Sequence, residues 1–84
     1  MDFVSIRLAQ IREVLEEILP ETFKIMDIVY RDMDMGVQGS AGYSFYLMKA
    51  DESGGAGTVL TTVNETRIKE AAFHLMEQLE GKKS

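Results

Sequence analysis

The sequence predicts a small α+β domain built in the order α-β-β-β-α. Three observations carry this: an apolar stripe of helical period at each end, strand-forming side chains between them, and a glycine-bearing turn that splits those strands. The strands would form a three-stranded antiparallel meander. The N- and C-terminal amphipathic helices would pack on one face of it, as helices segregate in small α+β folds. With 84 residues, the chain would bury only roughly 60 to 65% of its unfolded surface, too little to divide between two cores. Residues 1–84 are therefore read as one domain with a polar tail at 81–84.

In the first element Val4, Leu8, Ile11, Leu15 and Ile18 recur at spacings of four, three, four and three, and Val14 and Leu19 widen the stripe. Asp2 or Ser5 can cap the start. Pro20 steers Leu19 out of helical geometry and should end the helix. Arg7 falls inside the stripe, where its stem can lie over apolar neighbours with the head in water. Ile6 falls opposite the stripe.

Residues 21–35, ETFKIMDIVYRDMDM, fit either period. As a helix, Lys24, Asp27, Arg31 and Asp34 form a polar stripe. As a strand, Met26, Ile28 and Tyr30 share one face, and Phe23, Ile25 and Val29 the other. The strand reading is preferred, because β-branched and aromatic residues crowd positions 25–30 and a two-stranded sheet is marginal in water.

Residues 36–42, GVQGSAG, read as a loop, and a second strand should run over 43–50. Tyr43, Phe45, Leu47 and Lys49 would face one way, and Ser44, Tyr46, Met48 and Ala50 the other, so neither side is plainly polar. A turn over 51–56 and a third strand over 57–63 follow, with Gly54, Gly55 and Gly57 supplying the positive φ of the reversal. Asn64 is a good N-cap for the last helix, and Glu65 suits its positive end. There Ile68, Ala71, Ala72, Leu75, Met76 and Leu79 form one apolar arc, with Phe73 outside it and Gly81 at the end.

Composition narrows the function classes. With 45% hydrophobic and 27% charged residues, the chain is too apolar for disorder and too interrupted by charge for a membrane span. It has no cysteine, hence no disulfide and no thiolate metal site, and must rely on packing or oligomerisation. Asp2, Arg7 and Arg12 break the apolar run that a signal peptide would need, which points to the cytoplasm. The net charge of −5 disfavours direct binding of nucleic acid or an anionic membrane.

No catalytic, cofactor or metal site emerges. The single histidine, His74, lies on the polar side of the last helix without a second ligand of its kind. Asp32 and Asp34 lack the further oxygens of a calcium loop. Gly36, Gly39 and Gly42 lead into a strand, whereas phosphate loops lead into a helix. Acid, base and nucleophile do not occur at motif spacing, so a non-enzymatic protein is expected.

The expected function is protein–protein interaction, with self-association as a homodimer through an apolar sheet face or edge. Tyr43, Phe45, Tyr46, Met48 and Phe73 are the candidate contact residues, of types enriched in protein interfaces. One alternative is a small acidic inhibitor or nucleic-acid mimic, such as a mobile-element protein, that binds a basic partner. Another is a small-ligand site at the glycine-rich loop 36–42.

Overall fold

The computed structural model describes residues 2–31 and 42–81. Within them the elements follow as α1 (Phe3–Ile18), β1 (Phe23–Arg31), β2 (Gly42–Lys49), β3 (Gly55–Leu60) and α2 (Glu65–Gly81). The sheet has the order β1-β2-β3 with both pairings antiparallel, the meander that the sequence predicts. Within residues 21–35 the chain is therefore extended from Phe23 to Arg31, after a turn at Glu21 and Thr22, and the helical alternative is set aside. Asp32, Asp34, Gly36 and Gly39 lie outside the described residues, as does the tail after Gly81.

Local chemistry sets the helix ends. The Asp2 side chain accepts a 2.6 Å hydrogen bond from the Ser5 backbone N–H, and the extended Leu19 closes α1 just before Pro20. At α2 the Asn64 side chain accepts from the Arg67 N–H at 2.8 Å, satisfying one of the free donors of the first turn. Arg7 does more than trail its head in water. Its guanidinium donates to the Val63 carbonyl at 3.2 Å, joining the start of α1 to the entry of α2.

Both helices cover the same side of the sheet. Phe45 and Leu47 on β2 are fully buried there with Ile11 and Leu15 of α1 and Ile68 and Leu75 of α2. Lys49, on this same side of β2, is also buried and reaches Glu80 on α2 at 3.5 Å and Glu52 at 4.0 Å. The two helices run in the same direction: Arg7 stands beside Val63 at one end, while Ile18 and Leu19 share a groove with Met76 and Glu80 at the other.

Two strand details differ from the sequence reading. Met26 is an extra residue in β1: the register runs Ile25 to Leu47 and then Asp27 to Tyr46, so the strand bulges at Met26. Beyond the bulge the faces are exchanged, and Phe23, Ile25, Ile28 and Tyr30 all align with the helix-side residues of β2, while Val29 aligns with Ser44. The second difference is at the turn. Gly54 alone among its glycines has a left-handed φ, +87°, and β3 starts at Gly55, two residues earlier than expected and ending at Leu60. Gly55 and Gly57 are strand residues whose missing side chains make room for neighbours.

Candidate functional site

Among the described residues no element covers the side of the sheet away from the helices, and the chemistry of that side is graded from β1 to β3. Alternation places Lys24, Asp27, Val29 and Arg31 of β1 there, then Ser44, Tyr46 and Met48 of β2, then Gly55, Gly57 and Val59 of β3. Charge is confined to the β1 margin. Toward β3 the surface is apolar, with Val59 49% exposed and Met26 51% exposed.

Glycines shape the middle of this surface. A Cβ on Gly57 would overlap the Tyr46 ring, and one on Gly55 would overlap the Met26 sulfur and the Leu47 carbonyl. Tyr46 and Met26 thus lie over the bare backbone of β3, one from the cross-strand position and one from the bulge. The Arg31 guanidinium donates to the Tyr46 hydroxyl at 3.4 Å, which holds the ring by its polar tip. Ser44, between Val29 and Val59 in register, is 2% exposed although no helix covers it.

The margins also differ. β1 presents Lys24, Asp27 and Arg31 and a bulge, features that discourage a further strand from adding. β3, GAGTVL, has no charged residue, no proline and no irregularity in its pairing. Of the two edges it is the unguarded one.

The candidate residues from the sequence separate into three places. Tyr46 and Met48 lie half-buried on the uncovered side. Phe45 lies on the opposite side under the helices at 0% exposure, so its ring is a core group, not a contact group. Tyr43 is also on the helix side, half-buried, with its ring 4.8 Å from that of Tyr30. Phe73 is 53% exposed on α2, away from the sheet, in an open groove with Ile18, Leu19, Pro20 and Met76. The sequence reading misses Val59 and Met26. The alternation of β3 contains the signal for Val59, whereas Met26 depends on the bulge.

Chemistry elsewhere is sparse. His74 is exposed and its Nε2 lies 3.4 Å from the Gln78 amide. Among the described residues no group of three or more histidine, cysteine, aspartate or glutamate side chains is placed to hold a metal ion, and no helix is long and apolar enough to cross a membrane. Among the described residues two groups have shifted titrations. The Ser5 backbone N–H at Asp2 holds that carboxyl below its usual range, and the Glu65 carboxylate, through a hydrogen bond to Lys69, pushes that amine up.

Comparison with protein-family models, with curated proteins and with solved structures finds no match to this chain. Fold and surface define its class: an α+β domain of two helices and a three-stranded antiparallel sheet, with one side of the sheet uncovered among the described residues.

Proposed function

We propose that this domain is a non-enzymatic interaction module and that it self-associates as a homodimer through the β3 margin of its sheet. The observation that carries this reading is the sheet side that no element covers among the described residues, apolar toward β3 and bounded there by an edge strand without charge or proline. Apolar surface of this kind on a small domain marks a protein contact. Two copies carrying −5 each repel one another over most of their surface, and Gly55–Leu60 is a margin where no like charges meet. Antiparallel pairing of β3 with β3 about a two-fold axis would extend the meander to six strands and join the two apolar surfaces, an isologous contact.

Sedimentation velocity and multi-angle light scattering from micromolar to millimolar protein test this. A dimer mass that Val59→Lys converts to a folded monomer is expected. A monomer throughout the range contradicts self-association.

A further inference from the structure

We infer a second docking surface on the opposite side of the molecule: the groove between the C-terminal ends of α1 and α2 takes a basic amphipathic helix from a different protein. The groove is open, about 610 Å³ in volume, and its apolar walls are Ile18, Leu19 and Pro20 from the end of α1 with Phe73 and Met76 from α2. Glu77 and Glu80 complete the lining, so every charged group in it is a carboxylate.

Three features fix the sign of the partner. First, the helices run parallel, so their two C-terminal poles, each with partial negative charge, come together at this end. Neither helix has a basic residue in its last turn, where lysine or arginine usually offsets that pole. Second, Glu16, Glu17 and Glu21 stand exposed next to the α1 wall in sequence. Third, Glu80 is engaged by Lys49, but Glu77 has no ion pair among the described residues.

The same features select among occupants. A second copy docked groove to groove would set Glu77 and Glu80 against their equivalents and oppose four negative helix poles, so self-association belongs to the neutral β3 margin. A trough between two helices, with a half-exposed aromatic in its wall, receives a helix that presents apolar residues at spacings of three and four. Lysine and arginine flanking that stripe would meet the glutamates and the poles. An apolar floor with charged rims is also the arrangement in which a central aromatic supplies affinity and the rim supplies sign.

The test uses the full chain and two 14-residue synthetic peptides with leucines at helical i, i+3, i+4, i+7 spacing, one with lysine at the other positions and one with glutamate. The leucine–lysine peptide should bind once per protomer, gain helicity, and shift the NMR signals of Ile18, Leu19, Phe73 and Met76. Phe73→Ser should weaken binding about tenfold, as for an aromatic anchor. Glu77→Lys should weaken it several-fold, as should raising the salt. Thr62→Lys, exposed at the N-terminal end of the helices, should leave it unchanged. Equal binding of the leucine–glutamate peptide, shifts confined to the sheet, or an unaffected Phe73→Ser would each overturn the proposal. So would Phe73→Ser turning a dimer into a monomer, which would make the groove a self-contact. A tenfold gain on removing residues 82–84 would overturn it too, because the chain's own tail would then be the occupant. Failure of this surface leaves self-association through β3 untouched, since that is read from mass and not from peptide binding.

Discussion

The Tyr46 ring lies over Gly57, its cross-strand partner, so closely that a single methyl group on Gly57 would overlap it. Gly57→Ala should therefore cost about 1–3 kcal/mol, the range for forcing an extra carbon into a filled site. The obstacle is a ring that can swing aside. In a double-mutant cycle by denaturant unfolding, Tyr46→Ala should remove most of the Gly57→Ala penalty. Additive penalties would mean that Gly57 matters for its backbone alone.

Gly55→Ala should be worse than Gly57→Ala, because the added carbon meets the Leu47 carbonyl as well as the Met26 sulfur. Backbone cannot rotate away as a side chain does. A fall in thermal midpoint larger than that of Gly57→Ala, and not relieved by Met26→Ala, is the expected result.

Phe45 carries much of the core, being the largest side chain at 0% exposure. Phe45→Ala should cost about 3–5 kcal/mol. A domain of this size has only on the order of 5–10 kcal/mol to lose, so the thermal midpoint by circular dichroism should fall by roughly 12 °C or more. Tyr43→Phe, by contrast, keeps the ring beside Tyr30 and should retain the native midpoint within a few degrees.

Lys49 is a buried cation held by Glu80 and Glu52. Methionine has a similar volume and no charge to desolvate, so Lys49→Met should be neutral or stabilising. Glu80→Gln leaves the amine with Glu52 at 4.0 Å and should lose about 1 kcal/mol, a modest figure because Glu80 is half-exposed. Urea titrations of the two variants should move in opposite directions or separate by at least that amount.

The Asp2 cap gives stability a sign in acid. Its carboxyl titrates below its ordinary value of 3.8 because the Ser5 N–H stabilises the anion. The folded state therefore favours the ionised form. That contribution is fully present above the unfolded value and is lost as pH falls through the lower folded value. Asp2→Ala should fray the first turn of α1 at neutral pH and differ less from the native protein in acid, once the Asp2 carboxyl is protonated in the folded state too, as followed by amide exchange at residues 3–6.

How far the sequence discloses this structure varies by element. α1 and α2 are legible because their apolar residues repeat at the helical period and their caps, Asp2 and Asn64, are side chains of the capping type. The extended state of β1 follows from its β-branched and aromatic crowding. Its face assignment does not, because period two carries no mark of the extra residue at Met26, and every later position changes sides. β3 begins earlier than its glycines suggest, since a glycine can serve a turn or can vacate space for a ring, and only the register with Tyr46 distinguishes these. The uncovered side of the sheet was open to either reading because both faces of β2 are apolar. The groove at Phe73 is visible only once two helices distant in sequence lie parallel, although an aromatic outside the apolar arc of α2 was its trace.

The bulge in β1 also bears on how this gene could change in length. Losing one codon from a strand ordinarily turns its inner residues outward. Here Ile25 and Asp27 already sit opposite consecutive residues of β2, so deletion of Met26 would leave a regular ladder with Ile28 and Tyr30 still directed inward. β1 is thus a strand in which an in-frame loss of a single residue preserves the core, at the expense of the thioether that shields Gly55.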